Sequence, residues 1–273
     1  MKKIKARLYL WLLDFFNPLT NDLKYLFVLI LIVIILLCGY FASAQTSQTS
    51  QTTQTIYSGS DKIRIDGAHP NHLGKGYVFF HGGAFVKKDW GVCNEWKKIV
   101  VVNGDVSFRV NYPTAFLYPT LSALNNGVNG AAKSLTLIQM NCQQYGVHPD
   151  SIYLCGTSAG GIVAMQLVFN KGYDVAGVLN GWGAIVDLND LQNSNTQVYN
   201  VSTDIDVTVP LGCAKSFGVN VCGSTAIYNE LIRLGVKTDW LVWEGYKHGL
   251  LPKDLQYMKR VNHSFNSALK FFK

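Results

Sequence analysis

The stretch CGTSAGG, Cys155 to Gly161, constrains this chain more than any other, because it sets a serine between glycines where an apolar strand runs into an apolar helix. Upstream, SIYL (residues 151–154) is short and β-rich; downstream, IVAMQLVF is apolar on every side and reads as a buried helix. A strand passing directly into a helix through a glycine turn is the unit of a parallel sheet with helical crossovers. The rest of the chain keeps that rhythm. Strand-like runs occur at 77–80 (YVFF), 106–112 (VSFRVNY), 175–180 (VAGVLN), 197–201 (QVYNV) and 239–244 (DWLVWE), with helical patterns near 123–145, 159–170 and 224–234. A closing helix follows, its predicted apolar stripe being Leu255, Met258, Val261, Phe265, Leu269 and Phe272. The expected fold is α/β, a mostly parallel central sheet covered by helices on both faces, with its chemistry outside the carboxyl ends of the strands.

The first 44 residues read as an export segment. Lys2, Lys3, Lys5, Arg7 and Lys24 precede the uninterrupted apolar run Tyr25 to Cys38, and Ala42-Ser43-Ala44 has the small-x-small pattern of a cleavage site. Cleavage would make Gln45 the mature start and the protein periplasmic or extracellular. The alternative is an uncleaved membrane anchor. Residues 45–56, rich in Ser, Thr and Gln, have no apolar face to bury and read as a tether; 57–273 has the size of one domain. The formal net charge of +7 falls to +4 once the leader is set aside, since it holds five of the 24 Lys and Arg and two of the 17 Asp and Glu. With no Lys/Arg run or basic-aromatic interleaving, a nucleic-acid partner is not expected. Five cysteines lie beyond the leader, none in C-x-x-C spacing, so no metal site is implied. Cys213 and Cys222, flanking a short glycine-containing loop, are the preferred disulfide pair, and Cys155 reads as a buried thiol.

In a G-x-S-x-G turn the serine is held in a strained conformation between a strand and a helix that crowd it, which pushes its oxygen out at the helix N-terminus. Here that serine is Ser158, and the amide of Ala159 faces the place where an oxyanion would form. A second glycine turn, His81-Gly82-Gly83-Ala84-Phe85, offers the amides of Gly83 and Ala84 to the same oxyanion. Taken alone, HGG is only a tight turn, and GTSAGG is an N-cap or a phosphate cradle.

Taken together, HGGAF, then YGVHPDSIYLCGTSAGG, then an aspartate, then a late histidine resemble the α/β-hydrolase fold, in particular its carboxylesterase and lipase branch with an HGG-type oxyanion loop. The resemblance runs from about Gly76 to the C-terminus, and the order Ser, acid, His is that of the fold. It implies Ser158 as nucleophile and His248, in the late loop WEGYKHGL, as its base. It also sets NGWGAIVD (Asn180 to Asp187) beside the site. For the acid, VYNVSTDIDVTVP resembles the family's HGTxDxxVP, and counting back from Val209-Pro210 gives Asp206. The chain departs from that pattern with Ser202-Thr203 in place of His-Gly and a second carboxylate at Asp204, which strand alternation would turn to the same face. Asp187 is the remaining candidate.

The implied activity is hydrolysis of carboxylic esters by an exported serine hydrolase, without cofactor or metal, on a small-molecule or polysaccharide-linked ester. Three other readings remain open from the residues: a peptidase of the same fold, a catalytically inactive exported binding module, and, weakest, a nucleotide-binding protein. The interval between Trp182 and Gln197 is too short for a large helical cap, so a fairly open site is expected.

Overall fold

A computed structural model describes residues 53–216 and 218–273. The expected leader, with its apolar run and expected cleavage site, and most of the expected tether lie outside the described residues. Among the described residues there are ten strands: β1 (Gln54–Ser58), β2 (Asp61–Asp66), β3 (Gly74–Phe80), β4 (Val106–Val110), β5 (Val147–Thr157), β6 (Gly177–Gly181), β7 (Gln197–Thr203), β8 (Cys213–Ser216), β9 (Val219–Cys222) and β10 (Thr238–Trp243). The helices are α1 (Gly91–Val102), α2 (Leu121–Asn141), α3 (Ala159–Phe169), α4 (Ser224–Arg233) and α5 (Tyr257–Phe271).

Eight strands form one sheet in the order β1-β2-β4-β3-β5-β6-β7-β10. Every pairing from β4 to β10 is parallel, while β2 joins β4, and β1 joins β2, in antiparallel register. The fold class is therefore the expected one, a mostly parallel sheet of the α/β-hydrolase type. β1 begins at Gln54, so residues 54–56, expected in the tether, belong to the sheet instead. An edge strand is held by main-chain pairing, here Gln54 with Ile65 through Ser58 with Asp61, and needs no apolar side chains.

Strand alternation divides the core into two layers. Val78, Phe80, Ile152, Leu154, Val178 and Val198 point to one face, where α2, α3 and α4 bury Leu135, Ile138, Val163, Leu167, Ile227 and Leu231. Tyr77, Phe79, Tyr153, Cys155, Leu179 and Val201 point to the other, where α1 and α5 bury Trp96, Val100, Val261 and Phe265. The Trp96 ring stacks on Phe265 at 5.4 Å, and its indole N–H donates to the Val261 carbonyl at 2.9 Å, locking α1 to α5. α5 begins at Tyr257, two residues later than its expected stripe. Leu255 thus precedes the helix and is 98 % exposed, Met258 is also exposed, and the buried face is Val261, Ser264, Phe265 and Ala268, with Phe272 just beyond.

β8 and β9 form a separate hairpin whose facing ends, Cys213 and Cys222, are joined by an S–S bond of 2.03 Å. Main-chain bonds between Ile185 and Cys222, in both directions, tie the hairpin to the segment after β6. Cys93, Cys142 and Cys155 are free and buried. Burial pushes the Cys93 thiol up to about 12 and that of Cys155 well above its ordinary value, so neither forms a thiolate readily. A Cys213→Ser/Cys222→Ser variant is expected to lose about 2–3 kcal/mol of unfolding free energy, the loop-entropy value for a loop of about ten residues, read from its urea midpoint. In the native protein a thiol reagent should modify none of the three buried cysteines, and all three once denaturant is added.

Candidate active site

The serine elbow is built from close packing. β5 ends at Thr157, α3 starts at Ala159, and Ser158 between them has φ 54° and ψ −120°. Its amide donates to the Gly181 carbonyl at 2.8 Å and its carbonyl accepts from Ile162 at 3.1 Å, so the strained backbone is fixed from both sides. A Cβ on Gly156 would collide with the Gly160 carbonyl, and one on Gly160 with the carbonyl of Phe80. Strand and helix approach so closely that only glycine fits at either place.

The HGG turn follows β3. Gly83, Ala84 and Phe85 take φ of 108°, 54° and 61°, three successive residues in a region that L side chains rarely adopt. Paired main-chain bonds between Gly82 and Asp89 close the loop, and the amides of Val86 and Lys87 both donate to the Gly83 carbonyl at 3.0 Å. His81, fully buried, sits at the base of the loop, its ring stacked 3.9 Å from Tyr112, whose hydroxyl donates to the His81 carbonyl at 2.6 Å. Burial lowers its pKa to about 4, so the ring is neutral at pH 7, with Nδ1–H donating to the Gly82 carbonyl at 2.8 Å. The amides of Gly83, Ala84 and Ala159 donate to no partner among the described residues.

His248 lies on the loop after β10. Its Nε2 is 2.8 Å from Ser158 Oγ and its Nδ1 2.6 Å from Asp206 Oδ2. An ionised carboxylate can only accept, so the proton sits on Nδ1 and Nε2 is free to accept from the serine hydroxyl. The other oxygen of Asp206 accepts from the amides of Thr208 at 2.8 Å and Val209 at 3.0 Å, and its side chain is 2 % exposed. Both carboxylate oxygens are thereby committed.

Asp204 is elsewhere. Its Oδ1 accepts from the Gly245 amide at 2.7 Å, capping the turn after β10. The expected shared face for Asp204 and Asp206 does not exist, because β7 ends at Thr203 and both residues sit in a turn where strand alternation no longer applies. Asp187 caps the short helical turn at Leu188–Asp190 through Asn189. The structure thus brings Ser158, His248 and Asp206 together, with Gly83 and Ala84 lining the same cleft, and leaves Asp204 and Asp187 outside the hydrogen-bonded set.

Two supports had no signal in the sequence. Ser216, on the disulfide-tied hairpin, donates to the Thr208 carbonyl at 2.6 Å and so braces the turn that holds Asp206. Arg260, buried on α5, donates to the carbonyls of Leu250 and Pro252 at 3.4 and 3.0 Å, pinning the loop that carries His248. The cleft has a volume of about 340 Å³ and is walled by Trp182, Val92, Thr208, Leu251, Tyr257, Lys87 and Lys253 besides the residues already named. Trp182 is the tryptophan of the NGWG stretch expected beside the site. Among the described residues no cluster of three or more His, Cys, Asp or Glu side chains could hold a metal ion.

A strained serine, a histidine bonded to it, a carboxylate bonded to that histidine and unpartnered amides beside them form the geometry of a serine hydrolase. Comparison with known proteins bears on the fold. No curated protein matches the chain in sequence. Among solved structures, the apo form of esterase 2 from Thermogutta terrifontis superposes with a TM-score of 0.67 at 14 % identity, over 82 % of this chain and 94 % of that one. MGS-M1, an alpha/beta hydrolase enzyme from a Medee basin deep-sea metagenome library, superposes with a TM-score of 0.62 at 16 % identity, over 81 % of this chain and 96 % of that one. A family model for the alpha/beta hydrolase fold matches residues 77–204, a span that includes the HGG turn and Ser158 and stops before Asp206 and His248. By sheet order, elbow and family match, the chain is an alpha/beta hydrolase in fold.

Proposed function

We propose that the protein is a serine hydrolase of carboxylic esters that works through an acyl-enzyme and is exported by its N-terminal segment. The observation that carries the reading is the unbroken line from Ser158 Oγ through His248 to Asp206, with contacts of 2.8 and 2.6 Å. As the serine oxygen bonds the ester carbonyl carbon, its proton passes to His248 Nε2, and the charge left on the carbonyl oxygen is met by the amides of Gly83, Ala84 and Ala159. Asp206 holds the imidazole tautomer and stabilises the imidazolium. Collapse of the intermediate breaks the bond to the alcohol oxygen, which takes the proton from Nε2. A water molecule then repeats the sequence on the acyl-enzyme, releasing the acid and restoring the serine.

Support for ester chemistry comes from the neighbours in fold, which include Thermogutta terrifontis esterase 2, described in one structure as phosphorylated by paraoxon. Paraoxon should likewise add one phosphoryl group to Ser158, seen by mass spectrometry of the tryptic peptide. Ser158→Ala should take no label and lose nearly all hydrolysis of short esters while unfolding at the wild-type urea midpoint. Ester turnover in that variant at the wild-type rate would overturn the reading.

The two aspartates separate by their partners. Asp206→Asn is expected to lower kcat by about 10⁴-fold, since an amide in this place favours the wrong imidazole tautomer. Asp204→Asn, which disturbs only the cap on Gly245, should cost far less. The kcat values of the two purified variants decide the assignment.

Export rests on the leader sequence alone. Protein recovered from a secreting host should begin near Gln45 by intact mass. A full-length mass in the membrane fraction would favour the anchor.

A further inference from the structure

The walls of the cleft are asymmetric in charge. Lys87 and Lys253 both line it, against the single carboxylate Asp89. Neither ammonium is within ion-pair distance of a carboxylate among the described residues. Of the three acids nearby, two are paired with other side chains, and Asp89 stays in the cleft wall with a main-chain partner only. Asp254, adjacent to Lys253 in sequence, is paired with Arg260 Nη1 at 3.0 Å. Asp89 Oδ1 accepts from the Gly91 amide at 3.1 Å, and Asp206 is buried against His248. Lys253 is also placed rather than loose. Its Nζ lies 5.4 Å from the centre of the Tyr257 ring, another cleft residue, and its segment is pinned at Leu250 and Pro252 by Arg260. Lys87 follows the HGG turn, with its amide bonded to the Gly83 carbonyl and its own carbonyl packed against Gly83.

We propose that Lys253 selects ester substrates whose alcohol half carries an anionic group. The inference rests on the ester-hydrolase reading and adds the substrate class. The alcohol half is indicated by connectivity: Gly249, Leu251, Lys253 and Tyr257, all lining the cleft, come from the segment that begins with His248. His248 Nε2 must hand its proton to the departing alkoxide, so the alcohol leaves along that wall. An ammonium there attracts a carboxylate or phosphate on the alcohol while leaving the reacting carbonyl to the HGG turn.

The test measures kcat/KM for two matched pairs of esters at neutral pH. In the first, meta-acetoxybenzoate against its methyl ester, the charge is on the alcohol half. In the second, the para-nitrophenyl monoester of succinic acid against para-nitrophenyl butanoate, it is on the acyl half. The wild type should favour the anionic member of the first pair by about 3- to 5-fold beyond any preference in the second, the size expected of a solvent-exposed charge contact. That preference should shrink as salt is raised. Lys253→Gln should reduce it, chiefly through KM, and Lys253→Glu should invert it. Lys259→Gln, an exposed change of the same charge on α5 outside the cleft, should leave the ratio as in wild type. Equal turnover of both members of the first pair, a preference confined to the acyl pair, or a preference untouched by Lys253→Glu would each overturn the proposal while ester hydrolysis stands. Failure to turn over any of the four esters would instead bring down the hydrolase reading, and this inference with it.

Discussion

The closeness with which β5 and α3 meet at Ser158 is the constraint on which the site depends. No side chain fits at Gly156 or Gly160, where the backbone of the helix and that of β3 are in the way. Gly161 is similarly tight, with the Asn180 amide oxygen 2.5 Å from where its Cβ would stand. This crowding forces the serine out of the ordinary strand and helix conformations and lifts its oxygen into the cleft at a helix N-terminus. Because β5 lies in the middle of the sheet, between β3 and β6, the loops leaving β3 and β6 are brought against the serine by sheet order alone. The turn that offers the free amides and the wall containing Trp182 are therefore consequences of parallel register, not separate devices.

The electrostatics of the acid show how little is left to chance once the backbone is set. Two amides take one oxygen of Asp206 and the histidine takes the other, which removes the rotational freedom of the carboxylate. The turn that makes this possible is irregular and would be a weak point if unsupported. Its support is a covalently closed hairpin reaching it through Ser216, and that hairpin is itself paired to Ile185. On the far side, Arg260 does for the histidine loop what Ser216 does for the acid. The aspartate and the histidine are each held by a residue outside the Ser158-His248-Asp206 hydrogen-bonded set.

What the sequence disclosed follows from which forces leave a local trace. Buried strands are rich in β-branched and aromatic residues, so YVFF, SIYL and QVYNV were legible, and the elbow was legible because its glycines have no substitute. The register of Asp206 could be counted from Val209-Pro210, whereas the end of β7 could not, and so the same-face argument for Asp204 failed. α1 escaped notice because it opens at a glycine, has no side-chain cap and mixes Asn, Glu and Lys with its apolar residues. β1 was hidden in a polar run because an edge strand is defined by a partner distant in sequence. The supports from Ser216 and Arg260, and the place of Lys253 in the cleft wall, are tertiary throughout, resting on contacts to carbonyls, rings and walls that no spacing encodes.

The relay is also a statement about the order of synthesis. Ser158 and His248 stand 90 residues apart, and the loop of His248 is pinned from a helix that lies later still. On the proposed mechanism, a growing chain therefore completes its nucleophile long before it possesses the base that activates it. Such non-local closure is entropically costly and comes late in folding. Until then, on that mechanism, the serine lacks its base and takes no acyl group from an ester. Chemical competence is a property of the finished fold alone.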